Sequence, residues 1–231
     1  MKIGKIIILF FSLASCLFSY ASSGKAGQNV RWNLDDKGTL VFSGNGEMKN
    51  FGETPYNPSL VKTVLIEEGV TNVGANAFKN CNNLVYATIP STCREIGSKA
   101  FADCKALKDI NLSYGLMAIG NEAFMNCEAL NEVIIPQSVR TIGYRAFSGC
   151  KFLTRISIPS SVTSMGYNVF QNCNFIEKIL HLPDFVTSLS ASDYKLPRKL
   201  VEQYWERKPD ENSSEEELMA SNQDKEIKSQ T

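Results

Sequence analysis

Five of the seven cysteines in this 231-residue chain recur at a step of 23 residues: Cys81, Cys104, Cys127, Cys150 and Cys173. Thiols in register can hold a metal, pair as disulfides or simply pack. A tetrahedral thiolate site needs four ligands converging on one point, whereas a ladder spreads its ligands along a line. Disulfides fare better on distance, because neighbouring coils about 4.8 Å apart fall inside the Cα separation a disulfide tolerates. Side chains in register point the same way, however, and five thiols cannot all pair. Buried, reduced, packing cysteines are the favoured reading. Cys93 takes the place held elsewhere by Val70, Leu116, Val139 and Val162 and behaves as a small hydrophobe. The single histidine, His181, lies between Leu180 and Leu182. A catalytic imidazole needs an orienting partner and a nucleophile, so this one reads as structural. Asp109 and Glu132 are one period apart and would be neighbouring carboxylates, but a flat open face lacks the dry pocket that paired-acid chemistry uses. Gly44-Asn45-Gly46 lacks the strand-to-helix setting of a phosphate loop. The chain therefore reads as no enzyme, with no cofactor and no metal.

The elements that hold these residues follow from the period. Each cysteine closes a phrase Ala-Phe-x-x-Cys, at Phe78, Phe101, Phe124, Phe147 and Phe170, with Val169 replacing alanine in the fifth. A fixed period in this range marks a solenoid. Each repeat opens as apolar-x-x-apolar-x-apolar, from Val61, Leu84, Leu107, Leu130, Leu153 and, with an insertion, Ile176. The last two apolar positions alternate, which suits a short strand. Pro90, Pro136, Pro159 and Pro183 follow and end it. A second apolar pair leads to Gly74, Gly97, Gly120, Gly143 and Gly166, where the chain is expected to turn and a β-carbon would be costly. The cysteine phrase is then expected to make one helical turn, with phenylalanine and cysteine facing the core together. No coil buries its apolar side alone; stacked coils share a continuous core.

A solenoid's end layers need covers. Residues 22–60 supply the first. Val30, Trp32 and Leu34, then Leu40 and Phe42, alternate around Asp35-Asp36-Lys37-Gly38, which predicts a β-hairpin turning on Gly38. Residues 22–28 read as a polar linker and the glycine- and proline-rich stretch after Ser43 as a loop. The repeats occupy 61–183, five good and one degenerate, and the period fails from Asp184. Residues 184–208 form the C-terminal cover. Tyr194-Lys195-Leu196-Pro197 resembles one more strand ending, and an amphipathic helix from Arg198 carries Leu200, Val201, Tyr204 and Trp205. Residues 209–231 are polar and acidic and are expected to be disordered.

Residues 1–21 read as an export signal: Lys2 and Lys5, an apolar run too short to span a bilayer, and Ser19-Tyr20-Ala21 as a cleavage site. A rival reading takes Leu13-Ala14-Ser15-Cys16 as a lipobox with a lipid anchor at Cys16, although Leu17 and Phe18 stay apolar where a lipoprotein turns polar. Either way the chain leaves the cytoplasm, and no later segment is apolar enough to cross a membrane. With 24 basic and 24 acidic residues the chain is formally neutral, which offers nothing for nucleic acid.

The run from Leu130 to Cys150, with Pro136, Val139, Ile142, Gly143, Ala146 and Phe147 all in register, resembles the BspA-like (Treponema pallidum type) leucine-rich repeat. The hairpin around Gly38 is similar to the segment that often precedes such repeats, and the stretch from Tyr194 to Trp205 to the segment that closes them. Ser113 and Glu67 replace the proline in two copies; these are scaffold positions. The resemblance implies a β-rich α/β repeat solenoid of 23-residue coils, with short parallel strands on its concave side, an N-terminal β-hairpin cap and a C-terminal helix. It also implies a secreted or cell-surface protein of the kind implicated in adhesion to host matrix or surface proteins.

Function is then expected on the non-apolar strand positions, a face roughly 25 Å long at the usual strand spacing. Its candidate partner-binding residues are Tyr86, Asp109, Asn111, Glu132, Ile134, Arg155 and Lys178. Tyr86 would be the aromatic anchor, Asp109 and Glu132 an acidic centre, Arg155 and Lys178 a basic end. The plainer alternative is a solvated face whose opposite charges pair along the ladder. The alternative role for the whole chain is a structural or self-associating module of the cell envelope without a host ligand.

Overall fold

The structure, a computed structural model, describes residues 22–207. The export signal with Cys16 and the expected tail at 209–231 lie outside the described residues. Three strands open the fold: β1 (Ser22–Lys25), β2 (Val30–Leu34) and β3 (Thr39–Gly44), each antiparallel to the next. The predicted hairpin is therefore present. Asp35 Oδ1 accepts from the Lys37 and Thr39 amides at 3.0 and 2.7 Å, and Gly38 sits at φ +92°. Strand β1 is an addition, because part of the expected linker pairs with β2. Its small residues carried no strand pattern; Gly24 serves by letting the Trp32 indole lie against it. Trp32 packs edge-on to Tyr56 with ring centroids 5.4 Å apart, and Met48, Phe51 and Tyr56 of the expected loop are buried against the first coil.

The coils then carry two short strands each: β4 (Thr63–Ile66) and β5 (Asn72–Val73), β6 (Tyr86–Thr88) and β7 (Glu95–Ile96), β8 (Asp109–Asn111) and β9 (Ala118–Ile119), β10 (Glu132–Ile134) and β11 (Thr141–Ile142), β12 (Arg155–Ser157) and β13 (Ser164–Met165). The sixth coil carries β14 (Lys178–Ile179). Strand β3 joins β4 in parallel, so the cap and the first coils share the sheet β1-β2-β3-β4-β6-β8. Strands β10-β12-β14 form a second sheet on the same side, and β5-β7-β9-β11-β13 run parallel along another.

The core is a column. Phe78, Phe101, Phe124, Phe147 and Phe170 are each almost wholly buried and stack on one another at 4.8 to 5.8 Å. Phe42 meets Phe78 edge-on at 5.3 Å and starts the column from the cap. The cysteine phrase does not make the expected helical turn. Every second amide reaches the next coil instead, Asn76 N–H to Ser98 O, Phe78 N–H to Ala100 O and Asn80 N–H to Ala102 O, while those between close short turns within the coil, as Cys81 N–H does on Phe78 O. Alternate bonding to a neighbour requires left-handed residues along the segment, and each coil has two such positions. The first is Asn76, Lys99, Glu122, Arg145 and Asn168; the second is Asn80, Asp103, Asn126, Gly149 and Asn172. Asparagine, aspartate and glycine are the types that tolerate this region, which explains the second column.

The recurrent glycine is needed for a different reason from a turn. Its φ is not left-handed at any of the five repeats. A β-carbon on Gly97 would lie 2.7 Å from the Ala75 amide nitrogen, and one on Gly120 2.7 Å from that of Ser98. The glycine column thus lets adjacent coils close on each other.

The coil pattern continues past Asp184. Val186 N–H bonds Pro183 O as Val139 N–H bonds Pro136 O, and Asn168 and Phe170 donate to Asp193 and Tyr194. Residues 191–194 are a short helix, α1 (Ala191–Tyr194), ending on left-handed Lys195. The expected extra strand ending at Tyr194 is therefore absent, since Tyr194 finishes a helix. The predicted closing helix is α2 (Arg198–Arg207); it buries Val201, and Trp205 Nε1 donates to Val186 O at 2.8 Å.

Candidate functional site

The strand face positions its side chains through parallel register. In the first coils Thr63, Tyr86 and Asp109 lie opposite one another along β4, β6 and β8, with Leu65, Thr88 and Asn111 beside them. In the later coils Glu132, Arg155 and Lys178 align along β10, β12 and β14, with Ile134 opposite Ser157. The structure thus places Tyr86, Asp109 and Asn111 together, and Glu132, Ile134, Arg155 and Lys178 together. Arg155 and Lys178 are exposed and the other five half-buried.

The two groups are not one ladder. Among the described residues, β8 and β10 do not pair, and the sheet ends between them. The break falls where Asp109 and Glu132 occupy the same column, and like charges directly opposite destabilise a ladder. Ile110 and Leu112 of the third coil are only partly buried, whereas Val133 and Ile135 of the fourth are buried. Ser113, standing where other coils have proline, donates its hydroxyl to Pro90 O at 2.6 Å and ties this coil to the preceding one. The sheet β5-β7-β9-β11-β13 stays continuous across the step through β9 and β11. The expected acidic centre is thus a seam with one carboxylate on each side.

Electrostatics differ across that seam. Tyr86 is partly desolvated, which raises its phenol above the usual range, and the Asp109 carboxylate adds to the shift. At neutral pH Tyr86 is therefore a neutral donor beside an acid. On the other side Glu132 and Arg155 approach to 3.4 Å. Part of the face does pair its charges along the ladder, as the plainer reading supposed.

The thiols behave as packing. Cys81, Cys93, Cys104, Cys127, Cys150 and Cys173 are all buried and free. Cys104, Cys127, Cys150 and Cys173 each approach the carbonyl of the phenylalanine one coil back in the column of phrases, Phe78, Phe101, Phe124 and Phe147, at 3.1 to 3.4 Å. Desolvation pushes the thiols of Cys104, Cys127 and Cys150 far above the ordinary value and that of Cys93 up to about 11. A thiol held neutral is a poor nucleophile. His181 is half-buried, and its carbonyl accepts the Ile158 amide at 3.0 Å.

Sequence reasoning missed two features. An open cavity of about 630 Å³ at the C-terminal cap is lined by Asp184, Thr187, Ser188, Glu202, Trp205 and Glu206. Three of its lining residues, Glu202, Trp205 and Glu206, lie on α2, outside the repeat pattern. The second is an exposed aromatic pair. Phe152 and Phe175 are 57% and 54% exposed and stack at 6.1 Å with planes 10° apart. The same 23-residue step would have found it, since both precede the first apolar position of their coils.

Residues 49–195 match the BspA type leucine-rich repeat region in six copies. Among solved structures, a leucine-rich repeat protein from Eubacterium ventriosum is 26% identical, with a TM-score of 0.64 over 70% of this chain and 44% of that one. A leucine-rich repeat protein from Bacteroides ovatus is 30% identical, with a TM-score of 0.54 over 74% of this chain and 45% of that one. The T. pallidum leucine-rich repeat protein shares the fold at 19% identity, with a TM-score of 0.56 over 81% of this chain and 96% of its own. The chain spans less than half the length of the first two. No curated protein matches it.

Proposed function

Because the chain belongs to the BspA-type leucine-rich repeat family, we propose that it is a secreted or cell-surface binding protein that holds a protein partner on its concave strand face. The expected partner is a host matrix or cell-surface protein, and there is no turnover. Repeat proteins of this family and fold are interaction scaffolds, and among the described residues no helix is long and apolar enough to cross a membrane. The observation that carries the reading is the contrast within each coil. Positions facing the core stay apolar from coil to coil, with phenylalanine and cysteine recurring in their columns, while the outward column runs Thr63, Tyr86, Asp109, Glu132, Arg155, Lys178. A scaffold has no need of that variety, and recognition does. Tyr86 with Asp109 offers an aromatic anchor beside an acid, and Arg155 with Lys178 a basic end, so the face has polarity along its length.

The test is retention on immobilised fibronectin, fibrinogen or whole host cells, with a variant carrying Tyr86→Ala, Asp109→Ala, Glu132→Ala and Arg155→Ala. Loss of retention with an unchanged melting temperature supports the face. Concentration-dependent oligomers in light scattering, with no retention on any host ligand, would favour the envelope self-association module instead.

A further inference from the structure

The exposed ring pair does not stand alone. Three residues on from each phenylalanine, in the same two coils, lie Arg155 and Lys178, which are opposite each other on β12 and β14. One corner of the solenoid therefore presents two stacked rings beside two aligned cations. Arg155 keeps its approach to Glu132 on one side, and a guanidinium has further N–H donors to offer. Among the described residues no carboxylate lies within ion-pair distance of Lys178. Such a corner fits an extended segment in which carboxylates are followed at once by apolar side chains.

The chain carries one such segment. Residues 215–219 read Glu215-Glu216-Glu217-Leu218-Met219. We infer that this segment docks on the corner of its own solenoid, its glutamates on Arg155 and Lys178 and its Leu218 and Met219 on Phe152 and Phe175. The reach is sufficient. Helix α2 packs against β14 and ends at Arg207, with Trp205 bonded to Val186 of the sixth coil. Eight further residues, from Arg207 to Glu215, span up to about 26–29 Å when extended, and Arg155 is one strand step, about 4.8 Å, beyond Lys178. The spacing also agrees: three residues separate ring from cation in each coil, and three separate Glu215 from Leu218. The nearer cavity at the cap is the wrong sign, because Asp184, Glu202 and Glu206 line it and would repel an acidic segment. The segment would thus cover the basic end of the strand face. This inference stands without the host-binding proposal, since its test reads a contact within one chain and uses no host ligand.

Carbodiimide joins an amine to a carboxylate only when the two are in contact, so the test is zero-length cross-linking of the dilute mature chain, mapped by mass spectrometry. The expected result is an intrachain link from Lys178 to Glu215, Glu216 or Glu217, in preference to Lys195 and Lys199, which are nearer in sequence. That link should fall at least fivefold in 0.5 M salt and in a Phe152→Ser/Phe175→Ser variant that melts with the parent. Charge reversal at Arg155→Glu and Lys178→Glu should remove the solenoid contact, and Glu215→Lys, Glu216→Lys and Glu217→Lys in that background should restore protection of 152–178 in hydrogen exchange. Links confined to Lys195 and Lys199, links only between chains, or none from the three glutamates would overturn the inference.

Discussion

The back of each coil and its strand face are built from the same repeats, yet they behave differently. Along the back, phenylalanine stacks on phenylalanine, cysteine sits one coil from the carbonyl it approaches, and the hydrogen bonds run unbroken from the first coil to Tyr194. Along the strand face no outward residue type persists, and the ladder opens between β8 and β10. A stack that shares its core rewards identical neighbours at buried positions. It asks nothing of outward positions beyond solubility. Regularity therefore marks what holds the solenoid, and irregularity marks where recognition has room to act.

The largest effect should come from breaking the back. Phe124 is fully buried between Phe101 and Phe147, at 5.3 and 5.1 Å. Phe124→Ala should cost about 3–5 kcal/mol in denaturant unfolding. Next is the close approach between coils. A β-carbon on Gly143 would sit 2.5 Å from the Asn121 amide nitrogen, so Gly143→Val should cost about 1–3 kcal/mol by the same measurement. Should either variant lose binding while still folded at assay temperature, the separation of scaffold from face would fail.

The thiol column gives a pH-dependent prediction. Burial raises the Cys93 thiol from 9.0 to about 11 in the folded chain. The folded state therefore holds a proton that the unfolded state releases first, and the stability tied to that proton is fully present below pH 9.0 and lost as pH rises towards 11. Melting temperature should be flat across neutral pH and decline in that window. A thiol-reactive dye should label the native chain far more slowly than the unfolded one.

The smallest structural effect belongs to the face. Glu132 and Arg155 are partly exposed, so Glu132→Gln should change stability by no more than about 1 kcal/mol. Asp109→Asn should relieve like-charge repulsion at the seam; faster hydrogen exchange at 109–111 in that variant would contradict the electrostatic account of the break.

Much of this was legible in the chain. The period, the apolar columns, the hairpin turning on Gly38 and the helix from Arg198 all have local causes that residue types report. The misses have causes outside a single coil. Strand β1 pairs with β2 across a register in which Gly24 leaves room for the Trp32 indole. The cysteine phrase abandons a helical turn because its amides find the next coil, at Ala100 and Ala102 for the first of them. The glycine column answers to crowding between coils, which one coil's pattern cannot express. The columns of the strand face were read correctly, but not the seam, which depends on how two coils meet.

The central claim is that recognition lives on the strand face and not on the cysteine column. Retention of the Tyr86/Asp109/Glu132/Arg155 quadruple alanine variant on a host ligand that holds the parent chain tests it most directly. The account predicts at least a tenfold loss of affinity with melting unchanged; affinity equal to the parent's, in a variant that melts with it, would contradict it.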